Sequence, residues 1–241
     1  PRSKELSEYL FAKDRGEKFN QSNFDEVLKY NIDRVVKKQI DVGIDFVSDG
    51  EMSKISYATY IKDRIDGFSG ESERRAPADL DDFPEYKEKI AKSGGTPTYT
   101  RPCCTNELKL KDEESLLKDI NNFNTTLKKY NHHNAFLNSA SPGVINVFMP
   151  NKFYKSEQEY LDKLSSIMAK EYEAITKSNI HVQLDCPDLA LARHMNFKSL
   201  SENEFIKRAE LQIECLNSAL SNVDIDQTRM HICWGNYEGP H

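Results

Sequence analysis

Segments typical of strands alternate with segments typical of helices along this chain, and that alternation most constrains its fold. Four short runs have strand character: "IDFVS" (44–48), "NAFLNSA" (134–140), "HVQLD" (181–185) and "RMHICW" (229–234). Helical apolar periodicity separates them, most clearly over residues 156–177, where Ser156 and Glu159 predict a capping box. Strands that alternate with helices become parallel strands of one sheet. The sequence therefore predicts an α/β fold, either an open doubly wound sheet or a closed barrel.

Two further stretches complete this outline. "TYTRPCC" (98–104) predicts another strand of the sheet. Residues 70–97 are charged and contain Pro77, Pro84 and Pro97, which favours a long loop excursion with a short helix around residues 85–92. We expect one domain over residues 1–241, interrupted by this excursion.

Composition excludes several classes of function. The net charge is −6 and the chain has no basic stripe, so no nucleic-acid partner is expected. No run reaches the roughly 18 apolar residues of a membrane helix, so no membrane partner is expected. No Gly-x-Gly-x-x-Gly follows the early strand, which disfavours a dinucleotide site. The five cysteines are odd in number and show no disulfide framework, which favours the reducing cytoplasm.

His231 and Cys233 stand two residues apart in the last predicted strand. Residues i and i+2 of a strand project to one face, so the imidazole and thiol should lie together while Met230, Ile232 and Trp234 face helices. Both groups are zinc ligands, but zinc takes about three protein ligands in catalytic sites and about four in structural ones. Two interpretations stay open: half of a metal site, or a buried strand with a hydrogen-bonded histidine.

Two carboxylates also follow predicted strands. Asp185 ends "HVQLD" on the same face as Gln183, and leaving such buried polar groups unpaired costs about 1–3 kcal/mol each. Glu51 lies in "SDGEMS" after the first strand, where a carboxylate can receive a ligand's ammonium group. An exposed Asp185 and a solvated Asp-Gly turn are the alternatives. In an α/β barrel, however, active sites are built at the carboxyl ends of the strands, where all four candidates fall.

Four longer motifs occur in a fixed order: "GIDFVSDGE", "ASPG", "EYEAITKSNIHVQLDCPDLA" and "MHICWGN". Together they resemble the cobalamin-independent methionine synthase family, over nearly the whole chain. In particular, the chain looks like the short single-domain members related to the catalytic C-terminal half of that enzyme. The opening Pro1-Arg2 resembles the end of the family's Gly-Ser-x-Pro-Arg turn.

The resemblance implies a (β/α)8 TIM barrel as the fold. Its first strand would precede Pro1 and its last strands would follow His241, so residues 1–241 would form one incomplete barrel domain. It also implies one zinc ion, held by His231 and Cys233 and by a carboxylate and a second cysteine expected beyond residue 241.

The resemblance further implies a methyltransferase of methionine biosynthesis. Glu51 and Asp185 match the two carboxylates that hold the amino group of homocysteine, and zinc-dependent methyl transfer to its thiol gives methionine. Zinc coordination would deprotonate a thiol whose free pKa is about 8.5. The partners implied are therefore a small thiol and a methyl donor.

The chain departs from the family pattern at two of these motifs. Ser48-Asp49-Gly50-Glu51 stands where methionine synthase has His-Gly-Glu, and Asp185-Cys186-Pro187 stands where it has Asp-Glu-Pro. These departures leave the methyl donor open, as a folate or another carrier. Two alternatives remain: the same zinc-thiolate chemistry directed at an epoxide or other alkyl donor, and a metal-free barrel without catalysis. The sequence does not fix an oligomeric state.

Overall fold

The computed structural model describes residues 2–73, 78–92, 99–111 and 113–235. The strands in this part of the chain are β1 (Val47–Ser48), β2 (Ile65–Ser69), β3 (Cys103–Leu110), β4 (Ala135–Ala140), β5 (His181–Asp185) and β6 (Thr228–His231). The α-helices are α1 (Lys4–Asp14), α2 (Gln21–Asp41), α3 (Pro84–Lys92), α4 (Glu114–Lys129), α5 (Pro142–Phe148), α6 (Glu157–Lys177), α7 (Leu191–Met195) and α8 (Glu202–Ala219).

A parallel sheet in the order β1-β4-β5-β6 forms the centre of the fold. Helix α4 precedes β4, α5 and α6 connect β4 to β5, and α7 and α8 connect β5 to β6. The alternation of strands and helices thus gives the parallel sheet that the sequence predicts. Because the strands run in one direction, their carboxyl ends meet at one edge, where Asp185 lies opposite His231 in the register of β5 and β6. Within the described residues the sheet is an open arc, with β1 and β6 at its edges.

Helix α6 shows how the sequence sets the packing. The Ser156 hydroxyl caps it by accepting the backbone N–H of Glu159 at 3.1 Å. The predicted capping box forms only in part, because the Glu159 carboxylate accepts the N–H of Lys155, at 3.0 Å, in place of that of Ser156. The apolar stripe of α6, which includes the fully buried Tyr160 and Leu164, packs against β4 and β5 and covers one face of the sheet.

An antiparallel hairpin of β2 and β3 lies outside the parallel sheet. The expectation of a sheet strand over residues 98–104 is therefore wrong: the strand begins at Cys103, continues to Leu110 and pairs with β2. Gly67 lies at a register shift in this hairpin, with φ of 108°. A Cβ at Gly67 would approach the main-chain oxygens of Asn106 and Glu107 to 2.9 Å. The close pairing of β2 with β3 thus requires glycine here.

We expect Gly67→Ala to lower the free energy of unfolding by about 3 kcal/mol. A non-glycine residue at positive φ costs about 1–2 kcal/mol, and forcing a methyl group against packed atoms adds about 1–3 kcal/mol. The matched control is Gly70→Ala, because Gly70 has a φ of 69° but no atom within 4 Å of the place that a methyl group would occupy. Urea unfolding of both variants measures the difference, and equal losses would show that the contact with β3 is unimportant.

The charged excursion holds the short helix that its sequence predicts. A 3-10 turn covers Ala78–Asp82 and α3 follows at Pro84–Lys92. Residues 74–77 and 93–98 of the excursion lie outside the described residues. The assignment of residues 1–241 to one domain stays a prediction.

The apolar side chains at the end of the last strand are more exposed than the sequence predicts. Met230, Ile232 and Trp234 were expected to pack against helices, but their exposed fractions are 48%, 56% and 50%. The strand predicted over residues 229–234 ends at His231, so Ile232 and Trp234 lie beyond it. Strand β6 is also an edge of the sheet in the described part of the chain, so Met230 has few neighbours. The ring of Trp234 retains a contact with a helix, since its centroid lies 4.5 Å from that of the His194 ring of α7.

Two expectations from composition concern the cysteines and the membrane. All five cysteines fall in the described residues, and none of them forms a disulfide. None of the described helices combines the length and apolarity that crossing a bilayer requires.

Candidate functional site

A cavity of about 210 Å³ lies at the carboxyl edge of the parallel sheet. Its described lining consists of two carboxylates, two amides, a phenol, a proline, an imidazole and a thiol: Glu51, Asp185, Asn138, Gln183, Tyr57, Pro187, His231 and Cys233. All four residues singled out from the sequence therefore border one space. They come from the ends of β1, β5 and β6, which are far apart in the chain.

Asp185 is held in place by two amide side chains. It ends β5 and is only 4% exposed, so the alternative of a solvent-exposed Asp185 is wrong. The Asn138 amide on β4 donates to its two carboxylate oxygens at 3.0 and 3.3 Å, and the Gln183 amide donates at 3.1 Å. Neutral donors fix the carboxylate without neutralising its charge. Asp185 can therefore still attract a cationic group of a ligand.

Glu51 lies in a tight turn whose backbone is strained. Gly50 and Glu51 have φ of 66° and 54°, in the left-handed region that most side chains avoid. The Asp49 carboxylate accepts the N–H of Glu51 at 2.9 Å, and the Arg2 guanidinium donates to the Glu51 carbonyl at 2.7 Å. These contacts hold Glu51 in a conformation that costs about 1–3 kcal/mol, and such conformations cluster at functional sites.

One oxygen of the Glu51 carboxyl group lacks a hydrogen-bond donor among the described residues. This Oε1 atom is buried and accepts no hydrogen bond within the described structure. Burial raises the pKa of Glu51, the charges of Asp185 and Asp49 raise it further, and Lys54 and Arg2 oppose that rise. A buried acceptor without a donor is costly, so a ligand that donates hydrogen bonds and carries positive charge would satisfy it.

His231 and Cys233 border the same cavity from the end of β6. The backbone carbonyls of both residues are anchored to the neighbouring loop, since that of His231 accepts from Cys186 at 2.9 Å and that of Cys233 from Leu191 at 3.1 Å. His231 is exposed and Cys233 is half-buried, so a ligand can reach both. Their role as metal ligands or as structural residues stays a prediction.

Imidazole and thiolate are good zinc ligands, so this donor set suits the metal that the resemblance implies. In the described ranges, however, no group of three or more His, Cys, Asp or Glu side chains is placed to hold a metal ion. Metal binding by His231 and Cys233 therefore stays a prediction, and it would require further ligands beside these two.

The "ASPG" motif ties the loops around the site together. Ser141 caps α5 by accepting the N–H of Val144 at 3.0 Å, and its hydroxyl donates to Asp188 at 2.8 Å. The Asp188 carboxylate packs directly against Gly143. A Cβ atom at residue 143 would come within 2.1 Å of that carboxylate, so this packing requires glycine. Burial raises the pKa of Asp188 to about 6. The loops after β4 and β5 therefore pack as one unit beside Asp185.

A second cavity of about 470 Å³ adjoins the first across a pair of aromatic rings. Tyr57 lines the first cavity and Phe148 lines the second, and their ring centroids are 5.4 Å apart. Arg101, Lys152 and Arg208 give the second cavity a basic lining. Arg101 stacks on Phe148, with its guanidinium 4.7 Å from the ring centroid. The molecule thus offers a small acidic space beside a larger basic one.

The sequence did not predict that Asn138 and Tyr57 would line the cavity. Asn138 is one of two polar residues, with Ser139, in the otherwise apolar strand "AFLNSA", and that signal could have found it. Tyr57 follows the Glu51 turn in an irregular segment and gave no such signal. Burial raises the pKa of the Tyr57 hydroxyl well above its usual value, so it stays a neutral hydrogen-bond donor.

Comparison with known proteins gives a consistent result. No family model matches the chain. The curated methionine synthase of Sulfolobus acidocaldarius is 23% identical over 238 residues, which cover 98% of this chain and 60% of that protein.

Two solved structures have similar folds. One is a B12-independent methionine synthase from Shewanella in complex with selenomethionine (TM-score 0.65, 16% identity, 91% of this chain and 55% of that one). The other is a putative vitamin-B12-independent methionine synthase from Listeria monocytogenes (TM-score 0.63, 16% identity, 98% and 63%). This chain therefore spans between 55% and 63% of the length of these relatives. The resemblance to the cobalamin-independent methionine synthases and the α/β barrel fold class are confirmed.

Proposed function

We propose that this protein is a methyltransferase that transfers a methyl group to the thiol of homocysteine and releases methionine. The observation that carries the proposal is that Glu51, Asp185, His231 and Cys233 border one cavity. The two carboxylates suit an ammonium group, and the imidazole and thiol, as potential metal ligands, suit a thiol. Homocysteine carries both groups on one short chain.

The charge of the cavity supports an amino-acid thiol as the acceptor. Asp185 is oriented by two neutral amides, and Glu51 keeps a buried oxygen without a donor. An ammonium group has three N–H donors and a positive charge, so it can satisfy both carboxylates. None of the eight described lining residues is lysine or arginine, which disfavours a thiol that carries a sulfonate.

His231 and Cys233 would hold a zinc ion together with ligands outside this pair. When bound, zinc lowers the pKa of a coordinated thiol and so supplies the thiolate nucleophile at neutral pH. The residues of the chain orient the acceptor around it. Glu51 and Asp185 bind the amino group, while Asn138 and Gln183 keep the Asp185 carboxylate turned toward the cavity.

The neighbouring basic cavity supports a methyl donor with an anionic portion. Tyr57 and Phe148 form the shared wall, so a donor in the larger cavity would approach the acceptor past two aromatic rings. Arg101 and Lys152 would interact with carboxylate or phosphate groups of that donor. Both a folate and another methyl carrier meet this description. The reaction would place the protein in methionine biosynthesis, in the cytoplasm.

The test combines metal analysis with product analysis on the purified full-length protein. We expect about one zinc per chain, the number that a single mononuclear site holds. Homocysteine should be converted to methionine, detected by mass spectrometry, with either methyltetrahydrofolate or methylcobalamin as donor. Thiol consumption that requires an epoxide instead would support the alkyl-donor alternative. Protein without metal that leaves the thiol unchanged with every donor would support the metal-free barrel.

A further inference from the structure

Lys54 connects the Glu51 turn to the strand that positions Asp185. Its side chain is 6% exposed, although lysine is rarely buried without a partner. Its ammonium group donates to the backbone carbonyl of Asn138, 84 residues away in the chain. The side chain of Asn138 in turn donates to Asp185. One buried cation therefore links the two segments that carry the carboxylates of the amino-group subsite.

Lys54 contacts Asn138 at a point where β4 is no longer paired with β1. Strand β1 pairs with β4 only at Val47 and Ser48, opposite Ala135 and Phe136. Beyond Phe136, the Lys54 ammonium supplies a donor to β4 that a longer β1 would otherwise supply. The Lys54 ammonium therefore holds the β1 side of the end of β4, while β5 pairs with the other side as far as Ala140.

Other contacts fix Lys54 itself. The ammonium lies 4.2 Å from the ring centroid of Tyr60, a cation–π distance. The Tyr60 hydroxyl donates to the buried Glu171 at 2.5 Å, so the ring cannot easily move. The backbone N–H of Lys54 donates to the Glu51 carbonyl at 3.1 Å, and Arg2 donates to the carbonyls of both residues. The Glu51 turn and the ammonium are thus held as one rigid unit.

The charge of Lys54 also acts on the turn. Burial raises the pKa of both Asp49 and Glu51, and the Lys54 ammonium is the largest influence that opposes this rise in each. Without the positive charge of Lys54, less would offset the repulsion among the carboxylates of Asp49, Glu51 and Asp185. The cation therefore favours the ionised form of the group that would receive the substrate.

We propose that Lys54 is a positioning residue that sets the spacing and charge of Glu51 and Asp185 and thereby makes the site selective for a ligand with an amino group. This inference rests on the proposed function. It predicts that Lys54 contributes to discrimination between an amino acid and the same molecule without its amino group, although Lys54 does not line the cavity.

The test measures binding of L-methionine and of 4-(methylsulfanyl)butanoate, its analogue without the amino group, by calorimetry. Neither ligand has a free thiol, so the readout does not depend on methyl transfer. Wild-type protein should prefer methionine by at least about tenfold, and Lys54→Met should reduce this preference by about tenfold, the effect of losing roughly one charged hydrogen bond. Lys54→Arg, which keeps the charge, should retain part of the preference for methionine. If Lys54→Met does not fold, Lys54→Gln serves in its place.

The matched control is Lys118→Met, because Lys118 pairs with Asp25 at 2.6 Å, away from the cavity lining. It should leave the preference unchanged. If wild-type protein does not prefer methionine, the proposed function is overturned, and this inference with it. If wild-type protein prefers methionine and Lys54→Met prefers it equally, only the role of Lys54 is overturned. A role confined to stability would lower the unfolding temperature without changing the preference.

Discussion

Replacing Cys233 with alanine is expected to abolish stoichiometric zinc binding and to lower kcat by about 10³-fold, equivalent to about 4 kcal/mol of transition-state stabilisation. Loss of a partner that merely orients a ligand already costs about 10–100-fold in metal affinity or activity, so loss of the ligand itself should cost more. Without the metal, the acceptor thiol is only a few per cent ionised at pH 7, given a pKa of about 8.5. The thiol would then react slowly even when bound.

Metal content and single-turnover rates of the purified variant measure this effect. The control is Cys215→Ala, because Cys215 is buried in α8 and does not border the cavity. That variant should retain both zinc and activity. Chelation of zinc from wild-type protein should reproduce the Cys233→Ala phenotype, and added zinc should reverse it only in wild type. A Cys233→Ala protein that still holds one zinc and reacts at the wild-type rate would exclude Cys233 as a ligand.

Parts of the fold could be predicted because local pattern and tertiary packing agree there. Strand β5 occupies the predicted residues His181–Asp185, since Asn179, with φ of 58°, precedes it and Pro187 follows it. Strand β1 is shorter than predicted and covers Val47–Ser48 alone. Ile44 and Phe46 are exposed by 45% and 37%, so their apolar character did not produce pairing at this edge of the sheet.

Other parts depended on contacts that no local pattern reveals. The hairpin of β2 and β3 forms because Gly67 permits close approach of a strand about 40 residues away, and "TYTRPCC" has strand character in either arrangement. Helix α5 begins at Pro142 after the cap Ser141, but Ser-Pro-Gly is equally a turn sequence. Local propensity does not separate these alternatives.

The candidate site divides in the same way. Glu51, Asp185, His231 and Cys233 could be found because parallel strands bring their carboxyl ends together, so position at a strand end implies proximity. Asn138 and Lys54 could not be assigned roles from the sequence. Each acts through a partner 47 or 84 residues away, and no spacing rule encodes that contact. The residues proposed to touch the ligand were thus more predictable than the residues that hold them in place.

Glu51→Gln is expected to raise KM for homocysteine by about 100-fold while kcat changes little. The amide has the same shape, and the buried Oε1 of Glu51 accepts no hydrogen bond in the described structure, so the change removes charge without breaking a contact. Breaking a buried ion pair costs about 3–5 kcal/mol. Asp185 would still bind the ammonium group, so we expect about 3 kcal/mol, or about 100-fold, given 1.4 kcal/mol per tenfold. An interaction made equally in ground and transition states changes KM and leaves kcat.

The pH dependence gives this prediction a second readout. Burial raises the pKa of Glu51, with Asp185 and Asp49 adding to the rise, so the group takes up a proton at a higher pH than an ordinary glutamate. Protonation removes the charge that holds the ammonium group, so KM of the wild type should increase as the pH falls through that raised pKa. Glu51→Gln should lack this increase, and Glu5→Gln, at an exposed position in α1, should retain it. If KM of Glu51→Gln stays at the wild-type value across this pH range, or rises equally for a thiol without an amino group, Glu51 does not bind the amino group.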